Sequence, residues 1–238
     1  MRLNKGKETV VVIPDLQVPY EHVDALRFIQ AVADTVDATQ IVCIGDEVDQ
    51  MALSRFDPDP EADGAGPELR ASIKKMRKWY AAFPEVQVAT SNHTGRIQRS
   101  AFHAGIPEAY LKPVQEWMEA PDGWVWKDAI EIDGVRYEHG DAQGGMYAAR
   151  NLAIRNRQST VIGHHHSHGA VFYVANNNEC IFGMNVGCLV DNDSIAFKYG
   201  RMSAFKPTLG CGVVIQGVPY FIPMITKKNG RWTGEVIV

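Results

Sequence analysis

The stretch TVVVIPDLQVPYEHVDALRFIQAVADTVDATQIVCIGDEVD, residues 9–49, decides the fold. Thr9 to Ile13 is a β-branched run and predicts a short strand. From Glu21 to Val36 the apolar residues Val23, Leu26, Ile29, Val32, Ala33 and Val36 recur at helical spacing, which predicts an amphipathic helix. Gln40 to Ile44 is a continuous apolar run, too short for a helix and closed by Gly45, and suits a strand buried on both faces. The chain therefore begins as a βαβ unit.

Residues 57–67, DPDPEADGAGP, carry three prolines and two glycines and break any regular element. They read as an acidic, lid-like insertion at about 50–67 within one domain spanning 1–238. ELRASIKKMRKWYAAF, residues 68–83, predicts a helix, and Val86 to Thr90 a third strand. A helix is expected over 107–120 with Pro107 at its start, a strand at Val135–Tyr137, a helix at Tyr147–Arg157 and a strand at Thr160–Ile162. Beyond Gly169 the pattern changes to short β-prone runs, at Ala170–Val174, Cys180–Met184, Cys211–Gln216, Tyr220–Ile225 and Glu235–Val238, separated by turns such as NNNE and KKNGR. The sum is an α/β chain: an αββα sandwich of mixed central sheets flanked by helices, with early strands joined by helices and late strands by hairpins.

Composition excludes little beyond extremes. At 238 residues the chain can bury a substantial core. A hydrophobic content of 45%, a charged content of 22% and a net charge of -4 are ordinary for a soluble globular protein and give no overall polyanion-binding surface. Cys43, Cys180, Cys188 and Cys211 show no C-x-x-C spacing and read as reduced core residues of a cytoplasmic protein. The apolar run after the basic start is too brief for a signal peptide or membrane span, so neither export nor a membrane partner is expected. The oligomeric state is left open.

The chemistry sits just after the strands. Asp15 and Gln17 follow the first, Asp46 and Asp49 the second, Asn92 and His93 the third, His139 the fourth, and GHHHSHG (163–169) the fifth. The last segment holds four of the eight histidines, His164, His165, His166 and His168. In an open α/β sheet the loops at the carboxyl ends of the strands converge on one edge, so these side chains can meet in one cleft. Carboxylates, amide oxygens and imidazoles form a mixed O/N donor set suited to Mn²⁺, Fe²⁺ or Zn²⁺. Taken singly, each has a plainer explanation: Asp15 and Gly45-Asp46 as turn chemistry, Asn92, His93 and His139 as satisfied polar residues at strand ends.

In their order and spacing these residues resemble the calcineurin-like metallophosphoesterase superfamily, in its compact bacterial and phage-encoded form. The motifs read Asp15-Leu16-Gln17, Gly45-Asp46-Glu47-Val48-Asp49, Ser91-Asn92-His93-Thr94, His139 in YEHGD, and Gly163-His164-His165-His166, over roughly residues 9–190. The resemblance implies a metallophosphoesterase-type sandwich with two divalent ions, most suitably Mn²⁺, with Fe, Zn or Mg as alternatives. One ion would fall to Asp15, Gln17, Asp46 and His166, the other to Asp46, Asn92, His139 and His164. Asp46 would bridge them, since two close dications need negative charge between them. It further implies hydrolysis of a phosphate mono- or diester by metal-activated hydroxide, with His93 donating a proton to the leaving group.

Two positions depart from the family pattern. Gln17 stands where a histidine is usual, a harder ligand that favours Mn²⁺ or Mg²⁺. Thr94 stands where a carboxylate is usual, so the group that orients His93 must come from elsewhere. His165 and His168 fall outside the implied ligand set, and Asp49 and Asp141 read as loop-fixing residues.

Other charged segments carry less. Asp59, Glu61, Asp63 and Gly64 imitate an EF-hand loop, but Arg70 stands where the bidentate glutamate belongs. Arg96 and Arg99 follow His93 closely and are candidates for holding a substrate phosphate. Lys74, Lys75, Arg77 and Lys78, with Trp79 and Tyr80 beside them, form either a solvated helix face or an attraction for nucleic acid. Phosphorylated small molecules, nucleotides, nucleic acids and phosphoproteins are therefore all possible substrates. The alternatives to a general phosphoesterase are a DNA-processing nuclease, a protein serine/threonine phosphatase and a degenerate, non-catalytic scaffold.

Overall fold

The computed structural model describes residues 6–55, 59–194 and 206–238. Two mixed sheets face each other. The first runs in the order β11 (Val218–Pro223), β10 (Gly210–Ile215), β1 (Thr9–Ile13), β2 (Gln40–Cys43), β3 (Val86–Ala89) and β4 (Trp124–Lys127). The second runs β5 (Ile130–Ile132), β6 (Val135–Glu138), β7 (Ser159–Ile162), β9 (Cys180–Val186) and β8 (Gly169–Ala175). β1 to β4 are parallel, while β10 pairs antiparallel with β1, Val11 opposite Val213. In the second sheet β6, β7 and β9 are parallel, and the hairpins β5–β6 and β8–β9 supply the antiparallel edges.

The alternation along β1 explains the layers. Val11 and Ile13 point away from the second sheet, into a core shared with Phe28, Ile29 and Val32 of α1 (Ala25–Thr35) and Met76 and Trp79 of α2 (Ala65–Ala82). Val10 and Val12 point the other way, with Val42, Ile44 and Ala89, onto Tyr137, Val161, Phe182, Met184 and Val186 of the second sheet. A small outer core, Ala148, Ala149 and Leu152 of α5 (Ala148–Asn156) against Ile162, closes the far face. The expected αββα sandwich is therefore present. A strand with both faces covered needs an unbroken apolar run, and each such valine contributes about 1.5–3 kcal/mol by leaving water.

Several local expectations are corrected. The first helix begins at Ala25 rather than Glu21, leaving Val23 68% exposed, because Asp24 turns inward at its N-terminus to accept from Arg231. α2 begins at Ala65, with Pro67 inside its first turn, where the missing N–H costs nothing. The helix expected over 107–120 is two short turns, Glu108–Tyr110 and α4 (Val114–Trp117), because Pro113 divides it. α3 (Arg96–His103), β4 and β5 were not anticipated.

No strand forms at 235–238. Instead Arg231 donates to both oxygens of Asp24 at 2.7 and 2.6 Å, the Trp232 amide donates to the same carboxylate, and its ring packs edge-on against Phe28. Within the lid-like segment, residues 56–58 lie outside the described residues. On the basic helix face Lys75 pairs with Glu21 and Arg77 with Glu119, Lys74 and Lys78 are exposed, and Trp79 and Tyr80 are buried. No helix among the described residues is long and apolar enough to cross a membrane.

Candidate metal centre

The carboxyl ends of β1, β2 and β3 in one sheet and of β6 and β7 in the other open onto the same place. The loop after β1 is fastened to the loop after β2: the amides of Leu16 and Gln17 donate to the Asp46 carbonyl, and that of Val18 to Glu47. This fastening brings Asp15, Gln17 and Asp46 together and turns their backbones sharply. Gln17 and Asp46 both have φ of 48°, and His164, from the other sheet, has φ of 64°. Non-glycine residues at positive φ are uncommon and costly, and three of them at one site mark a conformation the surroundings impose.

The donors fall into two groups that share one carboxylate. Asp15, Asp46 and His166 place donor atoms within 4.8 Å of one another, and so do Asp46, His139 and His164. Gln17 adjoins the first group, its amide nitrogen 3.4 Å from His166 Nε2. A half-turn of that amide presents Oε1 there instead. Asn92 adjoins the second, its Oδ1 2.8 Å from His139 Nε2. All seven residues expected as ligands are therefore brought to one cleft.

Two details bear on whether a cation fits. Asp15 is fully buried; its Oδ2 accepts from the His164 amide at 2.9 Å and lies 2.9 Å from His166 Nε2, but its Oδ1 has no hydrogen-bond partner among the described residues. A buried carboxylate oxygen with nothing to accept from is costly and suits a cation. Gly163 leaves the room for it, since a Cβ at that position would lie 2.3 Å from Asp15 Oδ1.

The site's electrostatics are those of anions awaiting positive charge. Burial would raise the Asp46 carboxyl, but His139 and His93 beside it outweigh burial and hold it well below the usual carboxylate range. Burial would lower His139, yet Asp46 at 3.4 Å overrides it and lifts the imidazole to about 10. His166 is raised against burial by its bond to Asp15, whereas His164 is lowered by burial and by its neighbour His139. The carboxylates Asp46 and Asp15 thus draw positive charge onto His139 and His166 beside them.

His93 occupies a distinct position. Its Nδ1 lies 3.2 Å from Asp49 Oδ1 and its Nε2 is 3.6 Å from Asp46 Oδ2. Arg96, in the first turn of α3, donates to His93 Nε2 at 2.7 Å and to the Asp49 carbonyl at 2.7 Å. The carboxylate nearest Nδ1 is therefore that of Asp49, close to it without the geometry of a hydrogen bond. Thr94 instead closes its own loop through Ser91. Arg99 lies one turn further along, half-buried.

The remaining candidates stand apart. His165 Nε2 is 2.8 Å from the Gln143 carbonyl, His168 lies beside Ser167, and Asp141 is exposed. One residue escaped sequence reading: Glu47 is wholly buried, takes a bond from the Trp126 indole, has no partner for Oε2 among the described residues, and is pushed by burial to about 7.

No protein-family model and no curated protein matches the sequence. Among solved structures the chain is similar to vacuolar protein sorting 29 from Cryptosporidium parvum, at 14% identity, a TM-score of 0.49 and coverage of 98% of this chain and 95% of that one. It is also similar to Yfce, a phosphoesterase from E. coli, at 14% identity, a TM-score of 0.44 and coverage of 96% and 98%. A third likeness is to the Pseudomonas putida nuclease MPE, at 13% identity, a TM-score of 0.37 and coverage of 89% and 85%.

Proposed function

We propose that this chain is a phosphoesterase that works with two divalent ions. The observation that carries the reading is the pair of donor groups joined through Asp46, with an unpartnered buried oxygen on Asp15. Asp15, Gln17, Asp46 and His166 would hold one ion, and Asp46, Asn92, His139 and His164 the other. Oxygen donors outnumber thiols, which are absent from the site, so Mn²⁺ is the preferred occupant, with Fe, Zn and Mg as alternatives. Such a pair supplies charge neutralisation at the phosphoryl oxygens and acidifies the water it holds. The chain acts as one domain over 1–238, and its four buried free cysteines suit a reducing cytoplasm.

The protein's own groups do the rest. Asp49, against Nδ1, fixes the ring of His93 and leaves Nε2 to face the reaction. Nε2 is engaged by Arg96. An arriving phosphate competes for that guanidinium, so Arg96 moves from the imidazole to a phosphate oxygen; the vacated Nε2, until then an acceptor, takes up a proton from solvent beside Asp46 and Asp49 and passes it to the departing alkoxide. Substrate binding and acid catalysis are thereby linked through one arginine.

The test is a panel with added Mn²⁺: p-nitrophenyl phosphate, bis-p-nitrophenyl phosphate, single- and double-stranded DNA, and a phosphopeptide. Wild type should hydrolyse at least one of them, with Asp46→Asn and His164→Ala reduced by about 10²-fold or more. Equal rates for wild type and both variants on every substrate would mean a non-catalytic scaffold. The preferred member of the panel separates monoesterase, nuclease and protein phosphatase.

A further inference from the structure

The two sheets end in four edge strands, β11 and β4 in the first and β5 and β8 in the second. An edge strand offers unpaired N–H and C=O groups to any strand that approaches, and three of these edges are blunted. β11 (VPYFIP) carries Pro219 and Pro223, β4 is four residues long and ends in Lys127, and β5 is three residues long with Glu131 at its middle. β8 (GAVFYVA) is seven residues long and has neither a charge nor a proline.

The hairpin to β9 decides which backbone groups of β8 point outward. The Asn176 amide donates to the Glu179 carbonyl at 2.9 Å, so the alternate residues Val174, Phe172 and Ala170 carry on the hydrogen bonds to β9, opposite Ile181, Gly183 and Asn185. Gly169, Val171, Tyr173 and Ala175 therefore turn their N–H and C=O groups to the open side, where no described residue bonds to them. Exposed apolar side chains border the same edge. Tyr147, at the start of α5, packs edge-on against Phe172, and Ile154 lies two helical turns along the same stripe. On the other face Tyr173 packs against Phe182, with β11 and its Tyr220 alongside. These four border residues, Tyr147, Ile154, Tyr173 and Tyr220, are 39% to 52% exposed.

We propose that β8 is a dimerisation edge whose partner is β8 of a second copy of this chain, paired antiparallel about a twofold axis through Phe172. Antiparallel pairing about such an axis makes a single strand complementary to itself. In this register Val171 faces Tyr173 of the other copy and Gly169 faces Ala175, so every outward group finds a partner. Phe172 meets its own counterpart on the axis, with Tyr147 beside it. Because β8 is uncharged, the twofold brings no like charges together on the strand. Four side chains of this size, about half exposed, bring roughly 300 Å² per copy, and the strand edges raise the total over both copies to the ~1,000 Å² of a specific interface. β8 starts at the end of the sheet where the metal centre lies and runs antiparallel to β9, so the twofold sends the two centres to opposite ends of the joined sheet and leaves both clefts open. Nothing in this pairing depends on the phosphoesterase reading.

The test is sedimentation velocity of the full chain at micromolar concentration, with Tyr173→Lys, Val171→Pro and Tyr110→Lys, the last an exposed tyrosine away from β8. Wild type and Tyr110→Lys should sediment at twice the mass of one chain. Tyr173→Lys, which sets two like charges near the axis, and Val171→Pro, which deletes an outward N–H, should self-associate at least tenfold more weakly. Circular dichroism and Tm of each variant separate loss of pairing from loss of fold. Phe172→Cys reads the register: on the axis the two sulfurs fall within disulfide reach, so oxidised glutathione should link the copies covalently. Val174→Cys, which the twofold sets opposite Ala170, should stay unlinked, and the native cysteines are buried. A monomeric wild type overturns the inference. So does a dimer that keeps its affinity in folded Tyr173→Lys, or a Phe172→Cys protein that links no better than Val174→Cys.

Discussion

Asp49 lies 3.2 Å from Nδ1 of His93 and Arg96 donates to its Nε2, so each should have its own kinetic signature. Replacing Asp49 with Asn should lower kcat by about 10–100-fold with little change in KM, since outer partners of catalytic groups carry effects of that size. The loss should be larger for an alkyl phosphate than for p-nitrophenyl phosphate, whose leaving group needs no proton; an equal loss on both substrates would remove His93 from acid catalysis. Arg96→Lys should raise KM and recover little, because an ammonium cannot span two oxygens as a guanidinium does. At the other end of the chain Asp24 offers a stability test. Arg231 and the Trp232 amide hold its carboxyl down to about 2, outweighing burial. A depressed pKa stabilises the fold above the carboxyl's ordinary value of 3.8 and loses that contribution as pH falls toward 2. Asp24→Asn should therefore cost about 2 kcal/mol at pH 7, measured by urea unfolding, and the gap between variant and wild type should close below pH 3.

Among the elements, those positioning the site were the most legible. β1 and β2 were readable as near-continuous apolar runs covered on both faces, β3 (VQVA), β6 (VRYE) and β7 (STVI) as short runs rich in β-branched or aromatic residues, and the donors follow these strands. α3 escaped because only Ala101 on it is buried, so its sequence carries almost no apolar stripe. β5 escaped because it is three residues long, although Asp133-Gly134, both at positive φ, is a hairpin signal that was available. The late strand over 235–238 failed for a different reason: its residues are β-prone, but the indole of Trp232 and the Asp24 clasp claim the segment first. The place of Asp49 beside His93 was hidden because nothing in a sequence says which polar side chains will meet. The contact between α5 and β9 is a close one, backbone against backbone, and can be tested. A Cβ on Gly183 would lie 2.3 Å from the Ala149 carbonyl oxygen, backbone that cannot yield cheaply. Gly183→Ala should cost about 1–3 kcal/mol in unfolding free energy, whereas the same change at open Gly64 should cost less than 0.5.

Across the whole molecule the centre joins the two sheets. Asp15, Asp46 and Asn92 hang from the first, and His139, His164 and His166 from the second. Ion binding should accordingly stabilise the sandwich as a unit. At a hundredfold excess of Mn²⁺ over Kd, the gain is about 2.7 kcal/mol, and Tm should rise by roughly 5–10 °C in a scanning experiment, reversed by chelator and absent in Asp46→Asn. An unchanged Tm would mean that the donors hold no ion. The strand order has a consequence of another kind, in time rather than space. β1 is translated early, yet one of its two neighbours is β10, so Val11 waits for Val213. While a ribosome is still delivering the residues between them, the nascent chain carries β1 as a bare edge, aliphatic from Val10 to Ile13, the kind of surface that recruits stray strands. Birth of this protein is thus its most aggregation-prone moment, and chains stalled before residue 210 are the ones a chaperone would be found holding.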